Sequence, residues 1–190
     1  MKKILVMFDC FGVLCDKLCS VFLDKHTTPE LAAKITENLI AAAEIGEMSR
    51  DEFFDALCAE LGMERSDVEA EFDSLTIQHK ELVPVIEKIR EFADVALLSN
   101  AYEGHAESVL QKFDLTKLFD KIFLSWQCKL AKPNPEFYLH GVKSFGKDYD
   151  EIYMVDDTQK NLDPLPAIGI IPIKYVTHES VVAALSKYIK

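Results

Sequence analysis

Three short apolar runs, each followed by polar residues, constrain the fold of this chain more than any other feature. They cover Ile4–Phe8, Val95–Leu98 and Ile152–Val155. Each has the length of a buried strand, and continuous apolar strands are typical of parallel sheets that are covered on both faces. Helical patterns separate the runs, and this alternation predicts right-handed βαβ units. The sequence therefore predicts an α/β fold with a Rossmann-like parallel sheet at its core.

The polar residues after these runs are expected to meet at one edge of the sheet. Asp9 follows the first run, Ser99-Asn100 the second and Asp156-Asp157 the third. Open α/β sheets bind their ligands at the carboxyl ends of the strands. A carboxylate is costly to bury there unless a metal, a lysine or backbone donors compensate its charge.

A lysine is available for this edge of the sheet. Lys132 precedes Pro133-Asn134-Pro135, which stiffens the start of a helix. The chain thus offers a nucleophilic carboxylate, hydroxyl and amide donors, an ammonium group and a carboxylate pair. This set suits phosphoryl transfer through an aspartyl intermediate with Mg²⁺.

These stretches, in their order and spacing, resemble the four motifs of the haloacid dehalogenase-like hydrolase superfamily. Most members of that superfamily are Mg²⁺-dependent phosphatases, and the resemblance covers nearly the whole chain. The matching residues are Asp9 with Gly12-Val13-Leu14, then Ser99-Asn100, then Lys132-Pro133-Asn134-Pro135, and finally Asp156-Asp157.

The resemblance implies a role for each matching residue. Asp9 is the nucleophile, and the Mg²⁺ ligands are Asp9, the main-chain carbonyl of Phe11, and Asp156 or Asp157, one of which is expected to cap the next helix. Asn161 falls where relatives often carry a supporting Asp or Asn. Lys132 is expected to neutralise Asp9 and a phosphoryl oxygen. The expected phosphoryl-binding residues are Phe11, Gly12, Ser99, Asn100 and Lys132.

One departure from the family pattern bears on the chemistry. The phosphatases carry a second Asp two residues after the nucleophile, where this chain has Phe11. That Asp protonates the leaving group and later activates water, and such help is worth on the order of 10²–10⁴ in rate. Three readings stay open: a phosphatase that is slow or restricted in its leaving groups, a haloacid dehalogenase, or a protein that binds phosphometabolites without turnover. An acid supplied by the cap would also account for Phe11.

The dehalogenase reading ranks below phosphate chemistry. Dehalogenases of this superfamily hold the halide with an Arg near the start of the cap, and residues 15–49 contain no Arg before Arg50. They also need no metal, which the pair Asp156-Asp157 implies.

The segment after the first strand has only helical patterns. We predict a core at residues 1–15 and 81–190, with an inserted all-helical cap at residues 16–80. Within the cap, one helix is expected from Pro29 to Ile45, Ser49 is expected to cap a second helix, and Ser66 is expected to open a capping box for a third. Of the five histidines, His26 in the cap is the one selected for a substrate role.

Net charge and cysteine content predict the kind of partner and the cellular compartment. A net charge of -11 argues against nucleic-acid or anionic-membrane partners, so the expected partner is a small phosphorylated metabolite. Asp9 interrupts the N-terminal apolar run early, so no signal peptide is predicted. The five cysteines show no zinc-type spacing and are expected to be reduced thiols of a cytoplasmic protein.

Overall fold

A parallel five-stranded sheet forms the centre of the protein in our computed structural model, which describes residues 2–189. The strand order is β3-β2-β1-β4-β5. The α/β prediction with a Rossmann-like parallel sheet is confirmed. The strands are β1 (Ile4–Phe8), β2 (Asp94–Ser99), β3 (Lys121–Leu124), β4 (Glu151–Asp156) and β5 (Ile171–Lys174).

The register of the central strands brings the polar residues together. Phe8, the last residue of β1, lies opposite Leu97 of β2 and Val155 of β4. The three strands therefore end at nearly the same level. Asp9 continues the ladder for one more step, because its N–H donates to the Val155 carbonyl at 3.0 Å. This alignment puts the polar residues after each strand at a common edge.

Six α-helices lie between β1 and β2, and we refer to the span of the first five, residues 18–75, as the cap. The predicted helix from Pro29 to Ile45 is interrupted by a π-helical turn at Thr36–Ile40. The helices are α1 (Leu18–His26), α2 (Pro29–Ile35), α3 (Ala41–Glu44), α4 (Arg50–Leu61) and α5 (Arg65–Leu75).

Local signals explain where most cap helices begin and end. Ser49 caps α4 in a full capping box with Glu52, and Gly62 ends that helix with a left-handed conformation at φ 64°. The capping box predicted at Ser66 is wrong, because α5 already begins at Arg65 with Glu64 at its N-cap. The hydrogen bonds of the first turn of α5 run to Glu64 instead.

The cap has its own apolar cluster, built largely from aromatic rings. Phe22, Phe54 and Phe72 pack edge to face within it. Tyr102, which follows β2 on the core side, stacks on Phe53 with ring centroids 4.6 Å apart and so joins the cap to the core. The two connections to the core lie side by side, since Asp16 N–H donates to Ile77 and His79 N–H to Leu14. The domain boundaries at 16 and 80 stay a prediction.

The remaining helices cover both faces of the sheet. Val6 and Phe8 of β1 face one hydrophobic layer, and Leu5 and Met7 face the opposite one. In the described residues, no helix is both long and apolar enough to cross a membrane. The helices are α6 (Leu82–Ile89), α7 (His105–Lys112), α8 (Ser125–Cys128), α9 (Pro135–Lys143), α10 (Gln159–Leu162) and α11 (His178–Ala184).

Candidate active site

The ammonium group of Lys132 is the centre of the candidate site. Its Nζ lies 2.7 Å from Asp9 Oδ2 and 2.7 Å from Asp156 Oδ2, and its side chain is 0 % exposed. The Asn100 side chain fixes the lysine backbone, accepting from Lys132 N–H at 2.8 Å and donating to Lys132 C=O at 3.1 Å. One buried positive charge is thus shared by two carboxylates that come from different strands.

Asp9, which the sequence predicts to be the nucleophile, has a contact at each carboxylate oxygen. Its Oδ1 accepts from the Cys10 N–H at 2.7 Å, and its Oδ2 faces Lys132. Burial raises the pKa of the Asp9 carboxyl, while the charge of Lys132 and hydrogen bonding from Ser99 oppose that rise. The carboxylate form of Asp9 therefore depends on the positive charge beside it.

The two carboxylates after β4 have different surroundings. Asp156 is fully buried and accepts from the Thr158 N–H at 2.7 Å and from Asn161 Nδ2 at 3.0 Å, in addition to Lys132. Burial alone would raise the pKa of Asp156, but Lys132 and these hydrogen bonds hold it below its usual value. Asp157 is half-buried, and its Oδ2 lies 2.5 Å from Lys17 Nζ.

The site has the ligand atoms that a divalent cation requires. Carboxylate oxygens of Asp9, Asp156 and Asp157 all lie within 4.8 Å of one another. Hard oxygen ligands of this kind suit Mg²⁺. The loop after β1 approaches closely because Gly12 has a positive φ of 83° and a Cβ there would lie 2.5 Å from Asp157 Cγ. Glycine is therefore required beside this cluster.

Phe11 forms an apolar wall where the phosphatases have their second Asp. Its ring stacks on His105 with centroids 4.0 Å apart, and Tyr102 stacks on the other face of His105 at 4.2 Å. Burial, followed by the charge of Arg50, lowers the pKa of His105 to about 3, so the imidazole is neutral. Ser99 is fully buried and donates to the Asn100 carbonyl at 3.3 Å.

A cavity of about 340 Å³ separates these core residues from the cap. The structure brings the predicted Asp9, Phe11, Asn100, Lys132 and Asn161 to its wall. It adds residues that the motifs did not indicate, and His26 is not among them, because His26 pairs with Glu71 at 2.8 Å. The added residues are Lys17, Leu18, Cys19, Ser20, Thr36, Ile40, Glu44, Tyr102, His105 and Thr158.

A family comparison agrees with this geometry. Residues 5–169 match the model of the haloacid dehalogenase-like hydrolases. The chain therefore belongs to the haloacid dehalogenase-like hydrolase family, as the four motifs predicted.

Individual relatives are more distant. Drimenol cyclase drtB of Aspergillus calidoustus is 27% identical over 135 residues, which are 67% of this chain and 25% of that protein. The chain thus matches only about a quarter of the length of this curated relative.

Solved structures confirm the fold over almost the full length. A HAD family enzyme from Bacteroides thetaiotaomicron has a TM-score of 0.81 at 21% identity and covers 97% of this chain and 99% of its own. Its complex with magnesium and inorganic phosphate has a TM-score of 0.74 at 24% identity, with 92% and 94% covered. L-2-haloacid dehalogenase from Xanthobacter autotrophicus has a TM-score of 0.66 at 18% identity, with 100% and 85% covered.

Proposed function

We propose that this hydrolase cleaves phosphate monoesters of small metabolites through an aspartyl phosphate on Asp9, with Mg²⁺ as its cofactor. The observation that carries the proposal is the buried ammonium group of Lys132 between Asp9 and Asp156, 2.7 Å from each. A fixed positive charge at the nucleophile favours the attacking carboxylate and also attracts a phosphoryl oxygen. An aspartate carboxylate can then attack phosphorus and form a covalent intermediate.

The surroundings of the two aspartates after β4 suggest a division of labour. Both oxygens of Asp156 are engaged by Lys132, Asn161 and the Thr158 N–H. Asp157 has a less committed carboxylate, so we assign it, with Asp9 and the Phe11 carbonyl, to the metal and assign Asp156 to holding Lys132. Mg²⁺ bound there would reduce the repulsion between Asp9 and an incoming phosphate. A fold neighbour whose structure contains magnesium and inorganic phosphate supports this assignment.

The remaining motif residues fit the phosphoryl group itself. Ser99 and the backbone at Asn100 lie at the end of β2, and the backbone at Phe11 and Gly12 lies at the end of β1. Donors fixed at the ends of neighbouring strands can stabilise charge on the transferring group without reorganising. Lys132 completes this set. The five cysteines are free, which supports a reducing compartment such as the cytoplasm.

The position of Arg50 favours phosphate chemistry over dehalogenation. Arg50 pairs with Glu69 at 2.9 Å and lies over the Phe54 ring. It lines a neighbouring cavity of about 630 Å³, which shares Tyr102 and His105 with the cavity at Asp9, but Arg50 itself is not among the residues that line the cavity at Asp9. Arg50 therefore does not provide a halide-binding cation beside the nucleophile.

A phosphatase screen with Mg²⁺ tests this function, with Asp9→Asn as the matched control. We expect wild-type protein to release inorganic phosphate from small esters, and we expect the release to fail in Asp9→Asn and after chelation of the metal. Chloride release from a 2-chlorocarboxylate would indicate dehalogenation instead. Phosphate binding without turnover in wild-type protein would indicate a binding protein and contradict the proposal.

A further inference from the structure

The proposed reaction needs a proton donor that the core does not provide in the expected place. Phe11 occupies the position of the usual acid, and its ring is committed to a stack with His105. The nearest ammonium group, Lys132, is already held between two carboxylates. Lys17 is engaged as well, by the single carboxylate of Asp157. The side of the cavity formed by the cap is therefore the place to search for an acid.

We propose that Glu44, supplied by the cap, is the general acid and base of the reaction. This inference rests on the proposed function and identifies its missing catalytic group. Glu44 lines the same cavity as Asp9, Lys132 and Phe11. It is the last residue of α3, so it enters the cavity from the cap, opposite the strand ends that carry the nucleophile.

The helical register of the cap directs Glu44 into this cavity. Thr36, Ile40 and Glu44 are spaced by four residues, and all three line the cavity. Residues with this spacing share one face of a helix. The π-helical turn Thr36–Ile40 lies within the same stretch, and such turns occur frequently at functional sites. This face of the cap helix therefore lines the cavity that Asp9 also lines, with Glu44 at the end of the helix.

Contacts just after Glu44 fix its position against the core. Lys129 Nζ donates to the Gly46 carbonyl at 2.6 Å. The backbone of Gly46 approaches that of Trp126 so closely that a Cβ at Gly46 would lie 2.6 Å from the Trp126 carbonyl oxygen. The end of α3 is thus held against the core at α8. These contacts, and not the short helix alone, position Glu44.

The electrostatic surroundings of Glu44 suit this role. Burial raises the pKa of Glu44 to about 7; the charge of Lys132 opposes the rise, Asp9 adds to it, and hydrogen bonding with Asn100 opposes it. A position at the C-terminal end of a helix also disfavours a negative charge. A carboxyl group poised near neutral pH can serve as both acid and base. The neighbouring His105 is neutral and so is not equipped to donate a proton as a cation.

The two steps balance with Glu44 in this role. In the first step an Asp9 oxygen bonds to phosphorus, the ester P–O bond breaks, and the Glu44 proton goes to the leaving oxygen. In the second step the Glu44 carboxylate takes a proton from water as the water oxygen bonds to phosphorus and the Asp9–phosphorus bond breaks. The enzyme regains a protonated Glu44 and a free Asp9 carboxylate, and inorganic phosphate is released.

Two aryl esters of nearly the same shape test this assignment. Phenyl phosphate has a leaving group that needs protonation, whereas 4-nitrophenyl phosphate has one that departs with little help. In the Mg²⁺-loaded protein, Glu44→Gln should lower kcat/KM for phenyl phosphate by roughly 10²-fold or more, the usual worth of a positioned acid. The same variant should lose much less with 4-nitrophenyl phosphate. Intact-mass measurement of Glu44→Gln during turnover of 4-nitrophenyl phosphate should show the phosphoenzyme accumulating, because the variant no longer activates water.

Controls separate this inference from the proposed function. Glu47→Gln removes an exposed carboxylate three residues further along and should behave as wild type. If Glu44→Gln folds poorly, Glu44→Asp is the variant to measure instead. It keeps a carboxylate and should retain part of the phenyl phosphate activity. If wild type cleaves both esters and Glu44→Gln slows them equally without accumulating phosphoenzyme, the inference fails and the proposed function stands. If wild type cleaves neither, the proposed function fails and this inference fails with it.

Discussion

The two sides of the active-site cavity are built in different ways. On the core side, charged groups at the ends of the strands are paired, with Lys132 shared by Asp9 and Asp156 and with Lys17 on Asp157. On the cap side, Glu44 is the last residue of a four-residue helix, and burial raises the pKa of its carboxyl group. Under the proposed function, this difference would let the core fix the phosphoryl chemistry while the cap decides which leaving groups are accepted.

The largest effect is expected on the core side, from Lys132→Met. The variant leaves two buried carboxylates without their cation, and breaking a buried ion pair costs roughly 3–5 kcal/mol of unfolding free energy. The loss should be greater at pH 8 than at pH 5.5. Without Lys132, the pKa of Asp9 in the folded protein rises further above its value in the unfolded chain. The unfolding free energy then falls as the pH increases from the unfolded-state pKa toward the folded-state pKa. Urea denaturation at both pH values measures the effect.

Lys17→Met is the matched control for this prediction. Lys17 also pairs with an aspartate of the site, but its side chain is 42 % exposed. An exposed ion pair contributes only about 0–1 kcal/mol. If both variants change the unfolding free energy by less than about 1 kcal/mol, the central place given to Lys132 is wrong.

The next effect is expected where the cap meets the core, from Gly46→Ala. Gly46 has φ 65°, and a Cβ there would collide with the Trp126 carbonyl. Gly62→Ala is its counterpart, because φ is 64° but nothing lies within 4 Å. The left-handed conformation alone costs Ala about 1–2 kcal/mol. Gly46→Ala should therefore be the less stable variant.

The two glycine variants should also differ in catalysis. If the contact at Gly46 positions Glu44, Gly46→Ala should lower kcat/KM for phenyl phosphate more than kcat/KM for 4-nitrophenyl phosphate, whereas Gly62→Ala should leave the ratio of these two values unchanged. Steady-state kinetics on folded protein measures this ratio. A shared loss with both esters in Gly46→Ala would mean that the contact does not serve the acid.

The smallest effect is expected for metal affinity, again from Lys17→Met. Lys17 holds the Asp157 carboxylate that we assign to Mg²⁺, so the cation must compete with an ammonium group 2.5 Å away. Removing the competitor should tighten Mg²⁺ binding by up to about fivefold, in line with the modest strength of an exposed ion pair. Calorimetry would measure this change, and weaker binding would show that Lys17 supports the metal site instead.

The predictability of the two sides follows the same division. The strand runs ending at Phe8, Leu98 and Val155 led directly to Asp9, Ser99 and Asp156, because parallel strands deliver their final residues to one edge. Lys132 was found from its Pro-Asn-Pro context. These signals are local in sequence, so they can be recognised without knowing how the helices and strands pack.

The contribution of the cap depends on tertiary contacts that no local pattern carries. Glu44 lies in an ordinary Ala- and Glu-rich helix, and only the docking of that helix at Gly46 and Trp126 turns it toward Asp9. His105 was missed for the same reason, since its stack with Phe11 joins distant parts of the chain. The four-residue spacing of Thr36, Ile40 and Glu44 is visible in the sequence. It indicates that they share one helix face, but it does not indicate which part of the protein that face packs against.

A double-mutant cycle tests most directly whether core and cap divide the reaction in this way. Phe11→Asp restores a carboxylate beside the nucleophile, and the question is how its effect depends on Glu44. The cycle compares phenyl phosphate hydrolysis by wild type, Phe11→Asp, Glu44→Gln and the double variant, after each has been shown to fold. We predict that Phe11→Asp increases activity far more in the Glu44→Gln protein than in wild type, because one acid then replaces the other. Equal effects of Phe11→Asp in the two backgrounds would contradict the assignment of the acid to the cap.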